Sequence, residues 1–159
     1  MKKQKLPIVL FLAAFTVIVA GCGGEKKPEG LPPLTPLTVT ITQTGTPLEK
    51  ASVRFIETVS DKGAQKWSVS GVTDDKGEAI MKTHGFPGVP VGSYKVVVSK
   101  EEIVYDNGTP PNVTDRLNLV EKKYTNIRET DLKADIAEGT ATITFDVGKA
   151  VREKMATPP

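Results

Sequence analysis

Apolar side chains recur at every second position along short runs of this chain, a period that fits half-buried strands. Leu37, Val39 and Ile41 alternate with Thr38, Thr40 and Thr42, and β-branched residues on both faces favour an extended backbone. Thr44-Gly45-Thr46-Pro47 then turns. Ala51, Val53 and Phe55 alternate with Ser52, Arg54 and Ile56 as a second strand, and Ser60-Asp61-Lys62-Gly63 turns again. Trp67, Val69 and Gly71-Val72 mark a third strand. Thr73 to Glu78 reads as a hairpin connection, with Asp and Gly supplying the turn, into a fourth strand at Ala79-Ile80-Met81. After the Gly- and Pro-dense stretch 85–92, Tyr94, Val96 and Val98 form a fifth.

From Lys100 to Asn126 the alternation fades; Asp106 to Asn112 reads as irregular, and Leu117 to Lys123 fits either a helical turn or a short strand. Leu132, Ala134 and Ile136 alternate, Glu138-Gly139 turns, and Ala141, Ile143, Phe145 and Val147 line one face of a last strand. Those two strands read as a C-terminal hairpin. Residues 148–159 form a polar tail with room for one helical turn at Ala150 to Lys154. About seven short strands with no long amphipathic helix predict an all-β, antiparallel β-sandwich over 37–147. Its expected core is Val39, Ile41, Val53, Phe55, Trp67, Val69, Ile80, Tyr94, Val96, Val98, Ile143 and Phe145.

The front of the chain is built differently. Met1 to Lys5 is cationic, Ile8 to Ala20 is apolar save Thr16, and small residues precede Cys22, the sole cysteine. This is the layout of a secretory signal, over 1–21. Its apolar run is short for a bilayer span, which needs roughly 20 residues. Val19-Ala20-Gly21-Cys22 resembles the lipobox of bacterial lipoproteins. That resemblance implies a lipidated (palmitate-bearing) Cys22, a protein tethered to a membrane and not spanning it, and a stable attachment through more than one acyl chain. Residues 22–36 then form a spacer, Gly-rich and polar at first and stiffer from Leu31 to Pro36. Gly23, where some lipoproteins carry an acidic retention residue, favours the outer membrane or cell surface over the inner membrane.

Charge narrows the partners. The whole chain has 21 Lys+Arg against 19 Asp+Glu; removing Lys2, Lys3 and Lys5 with the signal leaves 18 against 19, or −1. A near-neutral body gives no electrostatic reason to bind nucleic acid. With Cys22 lipidated, no thiol remains for a disulfide or a cysteine metal site.

Three stretches, in order, are similar to bacterial carboxypeptidase regulatory-like domains. Gly45 to Phe55 resembles their "G-x-P-L-x-x-A-x-V-x-F" opening, Gly71 to Glu78 their "G-x-T-D-x-x-G" turn, and Pro90 to Val98 their "P-x-G-x-Y-x-V-x-V" strand. Val120 to Thr125 resembles a later "P-x-K-Y" segment, with Glu121, preceded by Val120, where proline is usual. The resemblance implies a transthyretin-like (prealbumin-like) sandwich and names no activity.

Catalytic groups are sparse. His84 is the only histidine; a zinc site commonly needs three or four clustered ligands, and no Gly-x-Ser-x-Gly elbow accompanies it. The chain ends Met155-Ala156-Thr157-Pro158-Pro159, unlike the Tyr-Arg-Gly-Ser end of transthyretin-like hydrolases. Asp74, Asp75 and Glu78 read as turn chemistry in preference to calcium ligands, and Asp106 and Asp115 as solvated loop residues. Asn107 and Asn112 begin glycosylation-type triplets that a bacterial lipoprotein leaves unused. No catalytic, cofactor or metal residue is expected. The expectation is a non-enzymatic envelope lipoprotein whose sandwich binds an unknown protein or glycan, or serves as a structural module. Residues 100–126 are its expected contact region, with Tyr105 and Tyr124 as candidate ligand contacts. A carbohydrate-binding module using Tyr105, Tyr124 or Trp67 is the alternative, and a hydrolase would need a pocket joining His84 to a serine or carboxylate.

Overall fold

The computed structural model describes residues 26–58 and 66–155; the expected signal segment and Cys22 lie outside them. Thirteen short strands occur among the described residues. In chain order they are β1 (Thr38–Gln43), β2 (Thr46–Pro47), β3 (Ser52–Glu57), β4 (Val69–Val72), β5 (Glu78–Ile80), β6 (Lys82–Thr83), β7 (Phe86–Pro87), β8 (Gly92–Ser99), β9 (Glu101–Tyr105) and β10 (Val113–Asn118). A single helical turn, α1 (Lys122–Thr125), precedes β11 (Lys133–Ile136), β12 (Thr142–Asp146) and β13 (Glu153–Lys154).

Two sheets pack face to face. The first runs β12-β1-β2, with β5 also on β1; the second runs β11-β8-β3-β4-β6-β7. The chain is thus an all-β sandwich, antiparallel throughout except where β12 lies parallel to β1. Period two explains the core: Val39 and Ile41 face inward from β1, Val53 and Phe55 from β3, Val96 and Val98 from β8. Each such buried side chain contributes about 1.5–3 kcal/mol. Phe55 meets the Tyr94 ring at 5.7 Å. Tyr94 donates its hydroxyl to the Pro90 carbonyl at 2.9 Å, four residues upstream, the arrangement of a tyrosine corner.

Buried hydroxyls knit the loops. Thr73 Oγ1 donates to the Leu48 carbonyl at 2.6 Å and accepts the Ala51 N–H at 2.8 Å. Thr83 Oγ1 donates to the Gly88 carbonyl, and Thr130 Oγ1 to the Val96 carbonyl. Unpaired, each would cost about 1–3 kcal/mol; no buried side-chain N or O atom among the described residues lacks a partner.

Several expectations are corrected. Ile80 is 65% exposed, while Ala79 and Met81 are fully buried; Ala79 sits opposite the inward-facing Val39, so parity sends Ile80 outward. Trp67 precedes β4 and is only partly buried. Ile143 and Phe145 are partly buried against the core, because β12 is an edge strand. The Thr73–Glu78 turn does not make a hairpin: β4 belongs to the second sheet and β5 pairs with β1 in the first. Nor do β11 and β12 form one, since β11 pairs with β8 and β12 with β1. Both tight turns are crossovers between sheets.

The stretch 100–126 is also more regular than its composition implies. β9 and β10 form an antiparallel hairpin, and the tail is a strand, β13, on β10's free side. This third sheet lies outside the two-sheet sandwich. The spacer is not free along its whole length: Thr35 donates its N–H to the Val89 carbonyl at 2.8 Å and accepts the Val89 N–H at 2.9 Å.

Candidate functional site

Where the third sheet meets the back of the second, a cleft of about 480 Å³ opens. Arg54 enters it from β3. It stands opposite the buried Val97 on the face away from the core, and the cleft is lined by charged and polar side chains with Met155 the apolar one. Lys122 comes from α1, which packs against β8. Glu101 and Asn118 come from the hairpin, where they are directly paired, and Met155 follows from the tail.

Register decides what lies beyond the cleft. Across β9 and β10, Glu101 pairs with Asn118, Ile103 with Arg116, and Tyr105 with Val113, so all six share one face. Glu153 of β13 pairs with Asn118, and the Met155 N–H donates to the Arg116 carbonyl at 2.8 Å. On this face Ile103 is 41%, Tyr105 54%, Val113 51% and Met155 40% exposed. The result is an apolar strip of Ile103, Tyr105 and Val113 that runs toward the 106–112 loop, with Arg116 standing between Ile103 and Met155 on the cleft side. Scattered exposed apolar residues are ordinary on a protein surface; a contiguous set marks a contact site.

Ion pairs hold the frame. Lys154 Nζ lies 3.0 Å from Asp115 and Arg152 Nη2 3.0 Å from Glu102, both tying tail to hairpin. Arg116 and Glu101 approach to 3.9 Å. Each is solvated and contributes about 0–1 kcal/mol. The loop is shaped by Asp106, whose Oδ1 accepts the N–H groups of Gly108 at 2.9 Å and Asn112 at 2.8 Å. These bonds, that of Asn112 first, hold its carboxyl below the usual carboxylate range.

The candidate residues fall in different places. Tyr105 is exposed on the strip. Tyr124 is buried at 7% exposure within the core cluster, because α1 docks its inner face; this removes it as an open ligand platform. Lys123 Nζ sits 4.4 Å from its ring centroid. Trp67 lies elsewhere, its ring meeting His84 edge-on at 5.8 Å with Lys66 Nζ 4.9 Å away. His84 and Ser68 both line a depression of about 310 Å³ there; the His84 backbone N–H donates to the Ser68 carbonyl at 2.7 Å. Asp74 Oδ1 accepts the N–H groups of Lys76 and Glu78, each at 2.9 Å, which is turn chemistry. Asp115 is paired with Lys154, apart from the Asp106 turn. Among the described residues, no group of three His, Cys, Asp or Glu is placed to hold a metal ion, and no helix is long and apolar enough to cross a membrane. Cys22 lies outside the described residues. Of the strip, the sequence pointed to Tyr105 and to the region 100–126 but not to Ile103, Val113 or Met155; the alternation of Ile103 and Tyr105 was the available signal.

No family model and no curated protein matches this chain. Among solved structures it is similar to the major pilin subunit of Bacillus cereus, with TM-score 0.40 and 15% identity over 76% of this chain and 30% of the pilin. It is also similar to a 9R-lipoxygenase from Cyanothece, with TM-score 0.32 and 18% identity over 78% of this chain and 18% of the enzyme. The chain therefore spans under a third of the pilin's length and under a fifth of the lipoxygenase's. The sandwich assignment rests on the strand pairing described above and not on these likenesses.

Proposed function

We propose that this chain is a bacterial lipoprotein of the envelope, anchored through lipid on Cys22 at the outer membrane or cell surface. In this reading the sandwich is a non-catalytic module, akin to carboxypeptidase regulatory-like domains, that binds a partner through the β9–β10–β13 face. The observation that carries the binding role is the strip Ile103, Tyr105, Val113 and Met155, four exposed apolar side chains on one face of a small sheet. Arg54, Lys122 and Glu101 beside these side chains and Arg116 among them add charge to the apolar face, and a mixture of apolar and charged groups is ordinary in protein contact surfaces. The lipobox-like Val19 to Cys22 supports the anchor.

Two experiments test the reading. Palmitate should label the wild type and not Cys22→Ala; equal absence of label in both removes the anchor. A partner cross-linked to the wild type in membranes should be lost with Ile103→Asp and kept with Lys76→Ala, which lies in the Asp74 turn. Retention of the partner by Ile103→Asp rules this face out. The exposure of Tyr105 also leaves a glycan as a second reading: binding on a glycan array that disappears with Tyr105→Ala would favour it.

A further inference from the structure

Natural sheets protect their edges with charge, proline or brevity, because a bare edge recruits another strand. Among the described residues, nearly every edge is protected. β2 and β7 are two residues long and end in Pro47 and Pro87; β13 is Glu153–Lys154. β5 has three residues and starts at Glu78. β9 starts with Glu101-Glu102, and β11 carries Lys133 and Asp135 among four residues. β12 differs. Its sequence Thr142-Ile143-Thr144-Phe145-Asp146 has no Pro, Gly or Lys, and its one charge is terminal.

The ladder shows which backbone groups β12 leaves open. Ala141 accepts the Thr38 N–H at 2.9 Å, and Val147 donates to the Thr42 carbonyl at 2.8 Å. Alternate residues therefore turn their backbone toward β1, and Thr142, Thr144 and Asp146 turn theirs to the open side. All three are exposed, while Ile143 and Phe145 reach only partway into the core.

We propose that β12 is a self-association edge, where a second copy of this chain adds its own β12 antiparallel about a two-fold axis at Thr144. The strand is complementary to itself in that register. Thr144 faces Thr144 of the other copy, and Thr142 faces Asp146; these are the residues with open backbone groups, so each pair exchanges two N–H···O bonds. Ile143 of one copy meets Phe145 of the other on the core side, and their half-covered surfaces close over each other. The two Asp146 carboxylates stand at opposite ends of the ladder, about 13 Å apart at roughly 3.4 Å per residue. That exceeds the screening length of about 8 Å at physiological ionic strength. The interface is isologous, so it closes at two copies.

Cross-linking reads the register directly. In the full-length chain carrying Cys22→Ser, Thr144→Cys places two thiols on a directly opposed pair, within the Cα separation of about 4.4–6.8 Å that a disulfide accepts. Thr142→Cys leaves its two thiols at opposite ends. Oxidation should give a covalent dimer from the first and none from the second. Thr144→Lys, added as a mild edge charge, should abolish the dimer seen by sedimentation while the circular dichroism spectrum stays that of the wild type. A chain that sediments as a monomer up to millimolar concentration, or a Thr142→Cys dimer as abundant as that of Thr144→Cys, overturns the proposal. None of these readouts uses the lipid, so failure here is distinct from failure of the anchor.

Discussion

Tyr94 joins two jobs in one side chain: its ring packs on Phe55 and its hydroxyl ties the strand to the corner at Pro90. Burial, with the Glu57 carboxylate second, pushes its phenol from 10.0 up to about 12. A raised folded value means that the native state holds this proton more tightly than the unfolded chain does. The contribution is complete below pH about 10 and is lost as pH climbs toward 12. Tyr94→Phe should cost about 0.5–1.5 kcal/mol at neutral pH and flatten the alkaline fall in stability, read as the urea midpoint against pH. An unchanged alkaline limb would place the titration elsewhere. Asp146 works at the other end of the scale. Its Oδ2 accepts the Gly45 N–H and the Thr42 hydroxyl, each at 2.8 Å, and its Oδ1 the Gly148 N–H at 2.9 Å. These donors, Gly45 first, hold its carboxyl below the usual range. A lowered value stabilises above the ordinary carboxylate pKa and is lost as pH falls through the folded one. Asp146→Asn should therefore lower the midpoint at neutral pH and weaken its decline in acid; a parallel decline in both proteins would contradict this.

The turn at Thr73 to Glu78 shows what an element adds to its residues. Gly77 has φ +75, and a Cβ there would lie 2.5 Å from the Ile41 carbonyl oxygen. That close approach exists because the turn docks on β1, with the Ile41 N–H donating to the Gly77 carbonyl at 2.8 Å. Gly45 has nearly the same φ, +76, but nothing within 4 Å. Gly45→Ala should cost only the backbone term, about 1–2 kcal/mol, and Gly77→Ala clearly more. Equal denaturation midpoints for the two variants would mean that the docking carries no weight. The sequence made Gly77 legible as a positive-φ turn and hid what the turn connects. A tight turn fixes local geometry, whereas the sheet that receives the next strand is fixed by pairing with β1, some 40 residues away. The same holds at Glu138-Gly139. Strands with both apolar periodicity and deep burial, Val39–Ile41, Val53–Phe55 and Tyr94–Val98, were readable. The hairpin 101–118 was not, because its exposed face mixes Glu101 and Arg116 with Ile103 and Tyr105, and water sets no clean alternation. Tyr124 was misjudged for a related reason: its burial depends on α1 docking against β8, which no local pattern encodes.

At the scale of the molecule, the spacer is part of the body for its last residues. Thr35 and Val89 exchange two backbone bonds, and Gly88, at φ +108, lets Leu34 and Thr35 approach so closely that a Cβ would lie 2.9 Å from both. Leu31, Pro32 and Leu34 are partly buried as they pass. If Cys22 is the anchor proposed above, docking from Leu31 shortens the free leash from thirteen residues (to Thr35) to nine. At roughly 3.3–3.6 Å per residue, the reach falls from about 45 Å to about 30 Å, which brings the body nearer the membrane. Thr35→Pro removes the single donor that holds this segment at its N–H while leaving the core side chains in place. Limited proteolysis should then cut the variant between residues 28 and 36 many times faster than the wild type, with the melting temperature of the body little changed. Equal cutting rates would show that the Thr35–Val89 bridge does not restrain the spacer, and the longer leash would stand. A large fall in melting temperature would show instead that the spacer is integral to the fold, since Val89 on the other side of the bridge is fully buried.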